Sequence, residues 1–142
     1  MKLQLIKNTN FNKENFFNKK ELQEMLDKAT SLARIGGWEI DLENETVYWS
    51  DVTREIHETE PDFVPDLETG INFYKEGKSR ETIALKLKEV IETGTICDEE
   101  LQIITAKGNL KWVRVIAEAE LSKGKCIRVH GSFQDIDTLK ST

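Results

Sequence analysis

The chain has 142 residues, enough for one domain, and a chain of that size buries roughly 68–70% of its unfolded surface without covalent staples. Hydrophobic residues make up 38% and charged residues 32%, and 20 Lys and Arg face 26 Asp and Glu for a net charge of −6. This balance excludes a nucleic-acid partner held by phosphate contacts, two cysteines (Cys97 and Cys126) exclude a disulfide scaffold, and no run approaches the roughly 20 apolar residues of a membrane span.

The opening residues lack the charged-then-apolar pattern of a signal peptide, so a cytoplasmic protein with reduced thiols is expected. The charge is uneven. Residues 1–35 hold seven basic and four acidic groups, and between Glu39 and Glu68 eleven carboxylates meet one cation, Arg54. A basic arm on an acidic body fits this pattern, as do two differently solvated surfaces.

Residues 1–17, with four asparagines among scattered apolar residues, predict a frayed or weakly helical lead-in. From Asn18 to Arg34, Leu22, Met25, Leu26, Ala29, Leu32 and Ala33 recur at helical spacing and share one face. Ile35-Gly36-Gly37 is read as the helix stop, since glycine accepts the left-handed exit conformation. Trp38, Ile40 and Leu42 alternate with acids, and Val47 and Trp49 share a face after the polar turn Glu43-Asn44-Glu45, which predicts a hairpin. Ser50 or Asp51 is placed to cap a short helix near Val52. Pro61 and Pro65 mark an irregular stretch, and Ile71, Phe73 and Tyr74 a short helical turn.

Ser79 to Thr93 reads as the best helix, with Ser79 as N-cap, Gly94 as its end, and Ile83, Ala84, Leu87, Val90 and Ile91 as its buried stripe. Three strands follow: Glu99–Thr105, Leu110–Leu121 and Cys126–Ile136. Gly108 and Asn109 are expected to supply the positive backbone angles of the first turn. Val113, Val115, Ala117 and Ala119 face inward with Ile127, Val129, Gly131 and Phe133, while Trp112, Arg114, Ile116 and His130 face outward. The order of elements predicts an α+β fold with one five-stranded antiparallel sheet covered on one face by helices.

The residues themselves argue little catalysis. His57 falls near a loop and His130 on an outward strand position, and no triad spacing, phosphate loop or metal-binding pattern is present. Small Ala117, Ala119 and Gly131 opposite a bulky helix leave room for an apolar cavity, or Trp38, Phe73 or Phe133 fills that room. The candidate lining is Ile40, Phe73, Ile83, Leu87, Val115, Ala117 and Phe133. The stripe on residues 18–34 either folds onto its own sheet or pairs with a second copy. Trp112 and Ile116 on a nominally exposed face favour an interface, so the expected homodimer uses Leu22, Met25, Leu26, Ala29, Trp112 and Ile116.

Ile35-Gly36-Gly37-Trp38-Glu39-Ile40-Asp41-Leu42 and Val47-Tyr48-Trp49-Ser50 resemble the opening hairpin of bacterial PAS sensory domains. Glu99-Glu100-Leu101-Gln102-Ile103, Gly108, Lys111-Trp112-Val113-Arg114 and Gly131-Ser132-Phe133-Gln134-Asp135-Ile136 resemble their C-terminal strands, the PAC region. The resemblance covers about Ile35 to Asp137. It departs at the family's His-Pro-Glu-Asp, replaced by Phe73-Tyr74-Lys75-Glu76-Gly77-Lys78, and at the terminal Asp-Ile-Thr, written Asp135-Ile136-Asp137.

This resemblance implies a non-enzymatic sensory module of a signal-transduction protein. Such modules sit upstream of a histidine kinase or a cyclic-di-nucleotide enzyme in the same chain, and they bind a small ligand or relay signals as dimers. It divides the chain into a lead-in and helix (1–34), the sensory domain (35–137) and the start of a signalling linker (138–142). Haem is disfavoured because the family's axial His from the long helix has no counterpart at 79–93. A covalent flavin adduct is disfavoured because both cysteines follow that helix. Asp135 and Asp137 are the expected signal-relay residues, Asp135 anchoring the strand end and Asp137 capping a helix from Thr138. The rival reading is a stand-alone small α+β enzyme or carrier with a half-open pocket. A convergent polar pair in the pocket would favour the rival.

Overall fold

The computed structural model describes residues 18–140, so the lead-in at 1–17 lies outside the described residues. Two compact units divide the chain between Leu32 and Ala33. The first contains helix α1 (Lys19–Leu32). The Asn18 side chain accepts the Glu21 N–H at 2.8 Å and donates to the Glu21 carboxylate at 3.0 Å, which satisfies the helix start. No residue of α1 is buried, and Leu22, Met25 and Leu26 are about half exposed.

The second unit opens differently from the sequence expectation. The left-handed residue is Arg34 (φ 57°), and Ile35-Gly36-Gly37 is the first half of strand β1 (Ile35–Asp41). Glycine serves here for its missing side chain. A Cβ on Gly36 would lie 2.1 Å from the Thr53 hydroxyl and 2.6 Å from the Thr53 amide nitrogen. β1 pairs with β2 (Thr46–Trp49), Trp38 opposite Trp49, in the expected hairpin. Ser50 caps α2 (Asp51–Ile56), and Asp66 caps α3 (Leu67–Asn72) in a reciprocal box with Thr69.

The long helix α4 (Lys78–Thr93) ends at Gly94 as expected (φ 75°). Its N-cap is Gly77 (φ 100°), not Ser79. The Ser79 hydroxyl instead accepts the Gln102 N–H at 3.0 Å, tying the helix start to strand β3 (Cys97–Ile104). Ile83, Leu87 and Val90 are buried, whereas Ala84 is exposed, so the apolar stripe is narrower than its spacing implies. β4 (Leu110–Ser122) and β5 (Lys125–Asp135) complete an all-antiparallel sheet in the order β2-β1-β5-β4-β3. In the β3–β4 turn only Gly108 carries a positive φ (86°), not Asn109. A short helix α5 (Asp137–Lys140) follows β5.

The core lies between the helices and one sheet face. Ile103, Val113, Val115, Ala117, Val129 and Phe133 are buried against Ile56, Ile83, Leu87 and Val90. The alternation read from β4 holds through its middle, with Arg114 exposed between buried Val113 and Val115. In β5 Val129 and Phe133 are buried as read, but beside the register shift at Glu120/Leu121 it is Cys126 that is buried and Ile127 half-buried. Gly131 does not open a cavity: a Cβ there would lie 1.7 Å from the Ile116 carbonyl oxygen, so the backbone occupies the space. Cys97 and Cys126 are separate buried thiols, and burial pushes the Cys97 thiol up to about 11.

Candidate functional site

A cavity of about 60 Å³ opens between the sheet and helices α2, α3 and α4. Its walls are mostly apolar: Ile40 from β1, Ile83 and Leu87 from α4, and Val115 and Phe133 from β4 and β5. Of the seven residues the sequence nominated, these five are brought together. Phe73 and Ala117 stand elsewhere. Phe73 packs edge-on to His57 at 4.9 Å, and Ala117 is sealed in the sheet opposite Cys97 and Gly131. Trp38, Trp49, Ile71 and Tyr74 supply lining that the sequence did not assign.

The missed feature is His57. It terminates α2 and is almost wholly buried (2% exposed), its ring stacked between Trp49 (4.0 Å, 18°) and Phe133 (4.5 Å, 15°). Several bonds hold it there. The His57 backbone N–H donates to Thr53 O at 3.2 Å, and its carbonyl accepts the Ala106 N–H at 2.9 Å. Next to it, Glu58 (φ 58°) accepts from the Thr105 hydroxyl at 2.6 Å and the Asn109 amide at 2.7 Å, bolting the end of α2 to the β3–β4 turn. Those two bonds hold the Glu58 carboxyl below its usual range.

The ring's chemistry follows from one contact. Nδ1 lies 2.8 Å from the Thr53 carbonyl oxygen, which only accepts, so Nδ1 carries the proton and Nε2 is a bare acceptor. Burial pushes the imidazole down to about 4, so it is neutral near pH 7. Among the described residues no side chain or backbone group bonds Nε2. A buried histidine in a short loop-bound helix has no periodicity to reveal it, and only its tertiary partners identify it.

Of the other polar lining groups, the Tyr74 hydroxyl and the Trp49 indole N–H carry no bond among the described residues, while Thr53 and Asp66 are engaged. Thr53 Oγ1 donates to Gly37 O at 2.8 Å, and Asp66, exposed at the mouth, accepts the Thr69 N–H at 2.8 Å. Two arginines fix the walls through backbone carbonyls. Arg54 Nε donates to Phe63 O at 2.9 Å and its Nη1 to Trp49 O, while Arg80 donates to Tyr74 O at 3.1 Å and Asn72 O at 3.0 Å. Among the described residues no cluster of His, Cys, Asp and Glu is arranged to hold a metal ion.

The strand outlet differs in detail from expectation. Asp137 is the first residue of α5, one position earlier than expected, and its carboxylate accepts the Trp112 N–H at 3.0 Å. Asp135 accepts the Asp137 N–H at 3.0 Å and pairs with Lys111 at 3.4 Å. On the outer sheet face, the Lys140 ammonium sits 4.6 Å from the Trp112 ring centroid, and Ile116 is half-buried. Ala29, like Leu22, Met25 and Leu26, is exposed on α1.

No protein-family model matches the chain, and no curated protein does. Solved structures do. A sensory box histidine kinase/response regulator from Burkholderia thailandensis superposes with a TM-score of 0.67 at 22% identity, over 82% of this chain and 87% of that one. The N-terminal domain of a diguanylate cyclase with PAS/PAC sensor from Marinobacter aquaeolei gives 0.67 at 13% identity, over 75% and 98%. A PAS domain from Colwellia psychrerythraea gives 0.61 at 13% identity, over 82% and 98%. The fold is therefore that of PAS domains, as the sequence motifs implied, and the α+β five-stranded architecture is the expected one.

Proposed function

We propose that the chain is a cytoplasmic sensory module, not itself an enzyme, that receives a small ligand in the cavity and passes the signal to an effector domain in the same chain. The cavity carries this reading: its walls are mostly apolar, with a few separate polar atoms that include a neutral imidazole nitrogen. General acid–base work needs at least two convergent groups, and among the described residues no lining side chain lies within hydrogen-bond distance of His57 Nε2. That favours sensing over the stand-alone enzyme or carrier. The similar solved chains, a histidine kinase/response regulator and a cyclase with a PAS/PAC sensor, support an effector of one of those two kinds. No described helix is long and apolar enough to cross a membrane.

A cavity of about 60 Å³ is far below the roughly 300–1,000 Å³ of sites for larger ligands, so the reading includes neither haem nor a flavin adduct. The exposed Leu22, Met25, Leu26 and Ala29 face of α1 supports a homodimer, in which half-buried Trp112 and Ile116 of the sheet also take part. Native mass spectrometry of the full chain tests both parts together. A dimer carrying a small-molecule adduct is expected, and the variant Leu22→Lys, Leu26→Lys is expected to be monomeric with the adduct retained. A ligand-free monomer in both proteins overturns the proposal.

A further inference from the structure

The cavity's chemistry narrows what it takes. Trp49 and Phe133 cover both faces of the His57 ring, so the ring presents only its edge, and Nδ1 on that edge is spent on Thr53 O. Thr53 has spent its own proton on Gly37 O, and among the described residues three buried lining groups carry no hydrogen bond: the Trp49 indole N–H, which only donates, the Tyr74 hydroxyl, which does either, and Nε2, which only accepts. A buried acceptor left unsatisfied carries a desolvation penalty that a donor entering the cavity relieves.

Resting on the sensory reading above, we propose that His57 Nε2 is the anchor for the ligand, and that the ligand is a small neutral molecule donating one N–H or O–H hydrogen bond. Size follows from the volume: about 60 Å³ gives room for roughly four to six water-sized positions, which suits a ligand of about five heavy atoms. Neutrality follows from the walls, since a charge placed against Ile40, Ile83, Leu87, Val115 and Phe133 would have no buried counter-charge. A ligand offering only acceptors gains nothing from Nε2, because the nitrogen carries no proton near neutral pH. A flat molecule fits best beside the stacked aromatic rings.

Pyrrole and furan separate the claim cleanly, being near-isosteric five-atom rings of which only pyrrole carries an N–H. The full chain, with ¹⁵N-labelled histidine, is titrated with each at pH 7.5. Pyrrole is expected to bind about tenfold more tightly than furan and to move the His57 Nε2 resonance, which furan leaves in place. In His57→Phe, which keeps a stacked ring without the acceptor, the two affinities should converge. Equal binding of both rings by the parent protein, with Nε2 unmoved, overturns the anchor and leaves the ligand-binding cavity standing. Failure of both rings to enter overturns the anchor and the cavity reading together. The resonance of the parent protein decides the matter even where the variant fails to fold.

Discussion

Thr53 sits against Gly36 so closely that its hydroxyl oxygen occupies the place of a side chain, 2.1 Å from where a Cβ would be. The same hydroxyl donates to Gly37 O, so helix α2 is docked on β1 through contact at one glycine and a hydrogen bond at the next. The two glycines therefore differ. Gly36→Ala is expected to cost about 1–3 kcal/mol or more, because Thr53 backbone atoms must shift. Gly37→Ala, whose Cβ would meet nothing nearer than Gly131 O at 4.0 Å, should stay within about 1 kcal/mol of the parent. Urea unfolding of both variants checks this; equal losses would refute the docking contact.

That pair of glycines also marks where reading the sequence stops. Alternation through the middle of β4, the Ile83, Leu87 and Val90 repeat of α4 and the Gly94 exit are local signals, and each appears where the pattern puts it. Gly36-Gly37 carries no sign of whether its freedom or its smallness is being used, and only Thr53 decides. Ser79 reads as the cap of its own helix because caps are local, yet its hydroxyl accepts from Gln102 on strand β3. For the site, inward positions were legible, but which of them border an opening was not. Ala117 points inward and is simply packed, while His57 looked like a loop residue and became the polar centre.

The two faces of β4 should respond oppositely to charge. Val115→Asp places a carboxylate in a wholly buried position and is expected to cost several kcal/mol or to prevent folding. Glu118→Lys, exposed on the same strand, should change stability by no more than about 0.5 kcal/mol. Thermal denaturation of the pair is enough, and similar losses would mean the inward face is misassigned.

Acid should weaken the fold through His57. Its folded pKa, about 4, lies below the ordinary 6.5, so the unfolded chain binds the extra proton first as pH falls. The contribution is largely intact above pH 6.5, declines below it, and is fully lost only below about pH 4. At pH 5 the expected loss relative to pH 7.5 is about 2 kcal/mol, and the lowered carboxyls of Asp41, Glu58 and Asp98 still remain mostly ionised. His57→Phe should flatten the profile between those pH values. An unchanged slope in the variant would show that His57 is not the group responsible.

At the outlet, Asp137→Ala removes the acceptor of the Trp112 N–H and should cost about 1 kcal/mol, felt locally. Amide exchange at Trp112 is expected to accelerate about five- to tenfold while that of Val115 stays as it is. Unaltered exchange at Trp112 would mean that α5 is held by its other contacts, among them the Ile136 N–H to Trp112 O bond and the Lys140–Glu100 pair.

The Asp135 N–H donates to the Arg34 carbonyl at 3.0 Å, just beyond the last pairing of β1 with β5, Ile35 with Gln134. A polypeptide threading this domain thus comes in and goes out through neighbouring doorways, joined by a single hydrogen bond. If β5 slid by one residue along β1, the exit would move about 3.4 Å past the entrance. The same slip would turn Phe133, and with it the ring that backs His57, out of the core. Entrance, exit and cavity wall are in this sense one mechanical part, and a load applied across the doorways is a load on the imidazole.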